Sequence, residues 1–462
     1  MFEKKTYVRR RNLLKKHLGS GLILFLGNGE SPMNYRANVY PFRQDSTFLY
    51  FFGLDSPELA AAIDVDENRE ILFGDDVGIE DIIWVGPQPK LKDRAAQVGI
   101  KETLAFGKLD GVVKAALEKR RPVHFLPPYR ADISERIGEL TGVPAREVRS
   151  KSSEGLIRAV VEQRSVKSDE EICEIEEALE ITYPMYMAAL EMAGAGRFER
   201  EVTGAMEGIM RSLGRAFAFP PIVTINGHIF HNTFSGNALR KGRMLVADCG
   251  AESSLHYACD ITRSIPVGGR FNRRQRDIYE IVLEAQLTAI AAMKPGIRFR
   301  DIHLKAARTI AGGMKDLGLM KGDLDVAVEK GAHALFFPHG LGHQLGLDVH
   351  DMENLGETHV GYDANIKRSE QFGLAYLRMA RELRPGHVMT VEPGVYFIPA
   401  LVDEWRKNRK HTDFINYDKV ETFLDFGGIR IEDDVLVVDK EGRRVLGRPI
   451  PKTVKDVENA AS

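Results

Sequence analysis

His339-Gly340-Leu341-Gly342-His343-Gln344-Leu345-Gly346-Leu347-Asp348-Val349-His350-Asp351 sets three histidines and two aspartates within thirteen residues. The glycines between them let the backbone turn tightly and come close to whatever those side chains hold. This is not the helical His-Glu-x-x-His of zinc proteases, because Gly340 and Gly342 are poor helix residues and no glutamate follows His339. Taken alone, a His-x-x-x-His pair reads equally well as a His-rich surface loop, so its meaning depends on the rest of the chain.

The rest of the chain supplies a pair of near-copies. Leu239-Arg240-Lys241-Gly242-Arg243-Met244-Leu245-Val246-Ala247-Asp248-Cys249-Gly250 aligns without a gap on Leu383-Arg384-Pro385-Gly386-His387-Val388-Met389-Thr390-Val391-Glu392-Pro393-Gly394, 144 positions later (248 to 392). Each copy is a Gly-marked turn, a short apolar strand-like run, an acid, and a glycine two places on. A second acid follows each: Asp260 in Asp260-Ile261-Thr262-Arg263 and Glu432 in Arg430-Ile431-Glu432-Asp433. Two related halves are expected, each contributing two carboxylates from adjacent strands, with His343 as the odd member.

Four carboxylates brought together cannot all stay ionised without a counter-charge, since like charges within a few Å raise one another's pKa. A metal pair removes the conflict. Carboxylates with one imidazole suit Mn²⁺, Co²⁺, Fe²⁺ or Zn²⁺, and the scarcity of sulfur ligands argues against a structural zinc knot.

The order Asp248, Asp260, His343, Glu392, Glu432, with His-Gly-Leu-Gly-His, Val-Glu-Pro-Gly and Arg-Ile-Glu-Asp around it, resembles the pita-bread metallopeptidases: aminopeptidase P, prolidase and methionine aminopeptidase. The likeness runs over roughly residues 165 to 450. It implies two divalent ions, Mn²⁺ first among them, with Asp248 on one, His343 and Glu392 on the other, and Asp260 and Glu432 bridging both. It also implies that Glu392 shuttles a proton and that His231, His339 and His350 stabilise the carbonyl oxygen and line the pocket. Arg378 falls where prolidases bind the free carboxylate of a dipeptide, and Arg430 joins it as a substrate-binding residue. An arginine on a solvated helix is the plain alternative for Arg378.

Composition bounds the rest. At 462 residues there is room for two domains, and a net charge of -2 gives no electrostatic case for nucleic acid or membrane binding. No run is apolar enough to span a bilayer, and the basic start, Lys4 to Lys16, reads as the solvated face of a first helix. Three cysteines without a CxxC point to a reducing compartment, the cytoplasm by default. Residues 20–26 read as a strand, and Ala60–Val65 with Glu70–Phe73 as a hairpin. The aromatic stretch Phe42–Gly53 and Trp84-Val85-Gly86 resemble the opening domain of aminopeptidase P and the larger prolidases, which methionine aminopeptidases lack.

Strands and helices alternate to about residue 150. Ser168-Asp169-Glu170-Glu171 is a capping-box pattern that starts a helix, and Pro184 is placed to end or kink it. Further helices are expected near 200–213, 273–293 and 299–317. The expected fold is therefore an α/β N-terminal domain (1–160) followed by an α+β pita-bread catalytic domain (165–462) with two pseudo-symmetric halves. A hairpin tip at Ser253–Leu255 would set Asp248 opposite Asp260 and Cys249 opposite Cys259, with the acids about 5 Å apart at Cα. Gly250 could shift that register as a bulge.

Two ions about 3.5–4 Å apart lower the pKa of water toward about 7 and polarise a carbonyl, so amide hydrolysis follows. A bond before proline suits such a site, because its nitrogen bears no N–H and proteases that bind the chain as a strand lose a donor there. An Xaa-Pro aminopeptidase is the first expectation, acting on small peptides with proline second and assembling as a homo-dimer or homo-tetramer. The long span between Glu392 and Glu432, 40 residues (392 to 432), leaves the Xaa-Pro dipeptidase open. A silent binding protein and a creatinase-like hydrolase are the remaining alternatives.

Overall fold

The computed structural model describes residues 1–440 and 442–461, which divide into two compact units. The first comprises Met1–Arg164 and Met352–His359, the second Ser165–Asp351 and Val360–Ser462.

The first unit is built on a five-stranded mixed sheet whose central strands, Leu22–Leu26 and Ala60–Asp64, pair antiparallel. Both are buried almost throughout, which is why they read as continuous apolar runs rather than alternating ones. The Ala60–Asp64/Arg69–Phe73 hairpin forms as the sequence indicates. Leu109 and Val113 of helix Leu109–Glu118 pack with Leu22, Leu24, Ala60 and Phe73 in one core.

The first helix, Lys4–Leu18, departs from expectation: its basic run is not a wholly solvated face. Arg10 and Arg11 are buried. Arg11 donates to Glu70 at 2.8 Å and to the carbonyls of Phe51 and Val98 at 2.9 and 2.8 Å, so a buried charge is retained because each guanidinium nitrogen finds an acceptor.

In the second unit, β1 (Ile222–Thr224), β2 (Met244–Cys249) and β3 (Ile261–Pro266) form one antiparallel sheet in the order β3-β2-β1. Its counterpart contains β4 (Val388–Val391), β5 (Gly394–Tyr396), β6 (Gly428–Arg430), β7 (Asp433–Val438) and β8 (Gly442–Val445), with β4 on β7, β5 on β6 and β7 on β8. The near-copies are thus β2 and β4. Helices Asp169–Met192, Glu199–Ser212, Arg273–Ala292 and Phe299–Asp316 fall where their apolar periodicity puts them. The first begins with Glu171 accepting from the Ser168 amide at 3.0 Å, and it runs through Pro184 without ending there. Burial of Ile181, Thr182, Met185 and Tyr186 on either side of the proline outweighs the one backbone bond it removes.

Candidate metal centre

The hairpin β2–β3 carries the first two acids, and its register is two residues away from the expected one. Asp248 lies opposite Thr262 and Cys249 opposite Ile261, which places Asp260 beyond the end of the ladder. The cause is a wider tip. His256 adopts a left-handed φ of 67°, and Ser253 Oγ accepts from the amides of Leu255 and Tyr257, both at 3.2 Å. Gly250 is required by contact: a Cβ there would meet the Cys259 carbonyl oxygen at 1.9 Å.

The second pair of acids sits in the second half. Continuing the shared register of β4–β7 and β5–β6 sets Glu392 opposite Glu432. By the same pairing, Thr262 holds in the first half the place that Glu432 holds in the second, and Thr262 and Glu432 themselves form an antiparallel bridge between the halves.

The His-rich stretch is an extended segment laid along β4. The Thr390 amide donates to the His343 carbonyl at 3.0 Å, Thr390 Oγ1 accepts from the His343 amide at 3.0 Å, and the Glu392 amide donates to the Leu341 carbonyl at 2.8 Å. Gly342 permits this approach, since a Cβ there would lie 2.0 Å from the Thr390 carbonyl oxygen. Asp351, at the end of the stretch, is a structural acid: it forms a 2.8 Å ion pair with Lys167, and both side chains are buried.

Asp260, His343 and Glu432 offer ligand atoms that all lie within 4.8 Å of one another. His343 Nε2 is 3.4 Å from Asp260 Oδ2 and 3.6 Å from Glu392 Oε1. Its Nδ1 is 3.0 Å from the Gln344 carbonyl, which only accepts, so in the neutral ring Nδ1 carries the proton and Nε2 turns a lone pair toward the carboxylates.

Asp260 Oδ1 and Glu432 Oε1 are buried without a hydrogen-bond partner among the described residues. Burial, then the neighbouring Asp248, pushes the Asp260 carboxyl well above its usual range; burial, then Asp260, does the same to Glu432. Burial raises Glu392 to about 8 against the opposing pull of Arg430. Lone pairs aimed at one another with orphaned buried oxygens form a donor set that fits divalent cations.

Asp248 stands outside that trio and is ion-paired with Arg430. Arg430 also donates through Nε to Thr262 Oγ1 and through Nη1 to Tyr396 Oη, both at 3.1 Å. Tyr396 Oη is in turn 2.8 Å from His339 Nε2, while His339 Nδ1 lies 2.8 Å from the Gly340 carbonyl. The imidazole, held down to about 3 by burial and by Arg430, is neutral with its proton on Nδ1, and it accepts from the tyrosine.

The His350 ring lies 4.4 Å from that of His343, edge to face. His231 is exposed on the loop after β1; its neighbour Phe230 packs 4.6 Å from Tyr396 and 5.4 Å from His339. Arg378 is half-buried in an irregular segment, not on a solvated helix, and its charge draws the Glu392 carboxyl and the His339 imidazole downward.

The model of metallopeptidase family M24 matches residues 173–439, and that of the aminopeptidase P N-terminal domain matches residues 7–124. The chain belongs to metallopeptidase family M24. Among its relatives, a probable Xaa-Pro aminopeptidase pepP of Aspergillus fumigatus is 32% identical over 91% of this chain and 88% of its own length. The human Xaa-Pro dipeptidase is 31% identical over 95% of this chain and 88% of its own. Two solved structures superpose with TM-scores of 0.81 at 28% identity, each covering 100% of this chain and 98% of the other: Pseudomonas aeruginosa aminopeptidase PepP, and zinc-substituted Escherichia coli aminopeptidase P in complex with product. The α/β plus pita-bread architecture is that of this family.

The candidate site of this M24 peptidase also includes residues that the sequence did not reveal. Thr262, Thr390 and Tyr396 orient Glu432, His343 and His339, and each reads in the sequence as an ordinary strand residue. The only signal was their spacing, two residues from a carboxylate or glycine on the same strand face.

Proposed function

We propose that this metallopeptidase is an Xaa-Pro exopeptidase, in the first place an aminopeptidase that removes the residue before a proline. The observation that carries the reading is the convergence of His343 Nε2 with the Asp260, Glu392 and Glu432 carboxylates, two of whose buried oxygens lack partners among the described residues. The catalytic domain is taken as residues 165–462 and the aminopeptidase P-like domain as 1–160.

Asp248 and the pair His343/Glu392 would each hold one divalent ion, with Asp260 and Glu432 shared. Such ions supply Lewis acidity that activates water near neutral pH and polarises the scissile carbonyl. Mn²⁺ suits this carboxylate-rich set, with Co²⁺, Fe²⁺ and Zn²⁺ as alternatives.

Glu392, hydrogen-bonded through Thr390 Oγ1 at 3.4 Å, takes the proton of the attacking water and passes it to the leaving proline nitrogen. His350 and His231 bind the carbonyl oxygen and the peptide, while His339, expected with them, has its Nδ1 proton turned to the Gly340 carbonyl and its Nε2 to Tyr396 Oη, which supports a role in lining the pocket. Arg430, expected on the substrate, has its nitrogens turned to Asp248, Thr262 and Tyr396, which supports a role in holding Asp248 in place. A dipeptidase is the second reading, favoured by the charge of Arg378 beside Glu392.

Among the described residues, no helix is long and apolar enough to cross a membrane. Three free thiols support a cytoplasmic setting. Exposed Ile79, Ile83 and Trp84 on one short helix support a homo-oligomer, a dimer or tetramer. The test is a time course on Xaa-Pro and Xaa-Pro-Yaa peptides with Mn²⁺. Release of Xaa from the longer peptide supports the aminopeptidase, release from the dipeptide alone the dipeptidase, and cleavage of neither defeats both.

A further inference from the structure

Behind the metal centre, on the opposite face of β3, lies a buried ionic cluster that joins it to the end of the chain. Arg263 is almost wholly buried, and all three of its guanidinium nitrogens are engaged. Nη1 donates to the carbonyls of Thr262 at 2.9 Å and Glu432 at 2.6 Å, Nη2 to Asp433 Oδ1 at 2.6 Å and the Ile450 carbonyl at 3.2 Å, and Nε to the Pro451 carbonyl at 3.1 Å. Asp433 Oδ2 accepts from Lys452 Nζ at 2.5 Å and from Gln286 Nε2 at 3.0 Å, and Lys452 Nζ also reaches Gln286 Oε1 at 3.0 Å. Tyr279 Oη closes the cluster on the Lys452 carbonyl at 2.8 Å.

Glu432 is therefore gripped by its own carbonyl and by the side chain of the next residue, through contacts that end on Ile450, Pro451 and Lys452. These three residues lie beyond the span matched by the M24 model, which stops at 439. We propose that Arg263, Asp433 and Lys452 are positioning residues of the metal centre, through which the C-terminal segment sets where the Glu432 carboxylate stands.

The physical reason is tolerance. A shared carboxylate must be held within a fraction of an ångström to serve two ions, and groups behind a metal ligand supply that precision. A buried acid between two cations is a weak source of stability but a strong source of fixed geometry, because removing one partner leaves charge uncompensated. Lys452 is the accessible member, on the wall of a cavity of about 750 Å³ shared with Arg263 and Asp433. Its replacement admits water to the cluster without emptying the core.

The inference rests on the proposed metal site, and its test reads metal affinity rather than turnover. Lys452→Met, with Lys452→Gln as a second neutral variant, should weaken Mn²⁺ binding in chelator competition by about tenfold or more. The rise in melting temperature on adding Mn²⁺ should shrink, and Lys452→Arg should restore both. Unchanged Mn²⁺ affinity in both neutral variants, with only the metal-free protein melting lower, would mean that the cluster merely fastens the C-terminal segment. Absence of Mn²⁺ binding by the unmutated chain would instead overturn the metal site itself, and this inference with it.

Discussion

Thr262 and Glu432 meet across the two halves through two hydrogen bonds: the Glu432 amide donates to the Thr262 carbonyl at 3.1 Å, and Thr262 Oγ1 donates to Glu432 Oε2 at 2.7 Å. One carboxylate oxygen is thereby fixed while the other, Oε1, has no donor among the described residues. A hydrogen bond to a charged group contributes about 1.5–3 kcal/mol, or about ten- to a hundredfold in an equilibrium. Thr262→Val should weaken divalent-ion binding by that factor, and Thr262→Ser should retain most of it. Equal affinity in all three proteins, measured by chelator competition, would remove Thr262 from the account.

The stability of the metal-free protein should depend on pH in two limbs. Glu392 is raised from 4.5 to about 8, so between those values the folded chain keeps a proton that the unfolded chain releases, and stability falls as pH rises through that window. Buried His303, His333 and His339 act oppositely. Held neutral down to about 3, 4 and 3 by burial, they refuse protons that the unfolded chain binds below about 6.5, so acid destabilises as well. Maximum stability is expected near pH 6.5, with an alkaline loss on the order of a few kcal/mol by pH 8.5. Mn²⁺ should flatten the alkaline limb and leave the acid limb. Urea melts across pH with and without the ion decide this, and an alkaline limb indifferent to Mn²⁺ contradicts it.

Cys249 and Cys259 are not the cross-strand pair that the expected register would make; their partners are Ile261 and Ala251. Both are buried, and burial pushes their thiols well upward, whereas Cys173 is exposed. One thiol should therefore react quickly in the native protein and three after unfolding without reductant. Two missing thiols in the unfolded protein would show a disulfide that this geometry does not hold.

How much of this was legible follows from what each feature depends on. The near-copies β2 and β4, the principal helices and the clustering of Asp260, His343 and Glu432 rest on local periodicity and residue chemistry, which a sequence displays. The hairpin register was missed because it turns on the left-handed φ of His256 and the hydroxyl of Ser253, neither of which alters the apolar pattern. Arg10 and Arg11 were misplaced because burial of a charge depends on carbonyls supplied by distant segments. Tyr396 went unnoticed for the same reason: its partners, Arg430 and His339, are far away in the chain.

Arg378 separates the two readings of function. A guanidinium binds a free carboxylate through paired hydrogen bonds that methionine cannot make. If the enzyme is a dipeptidase, Arg378→Met should lower kcat/KM on Xaa-Pro by about ten- to a hundredfold and spare Xaa-Pro-Yaa. An aminopeptidase would prefer the longer peptide beforehand and show no selective loss. The same response on both substrates would leave the dipeptidase reading on the long 392–432 span alone.

Asp248, Asp260, His343, Glu392 and Glu432 are proposed to hold two divalent ions on which peptide hydrolysis depends. Elemental analysis of the protein, paired with turnover of an Xaa-Pro-Yaa peptide during removal and return of Mn²⁺, tests it directly. Activity is expected to vanish in chelator, to return with added ion as occupancy approaches two per chain, and not to return in Asp260→Ala or Glu432→Ala. Full turnover by protein shown to be free of metal would contradict it.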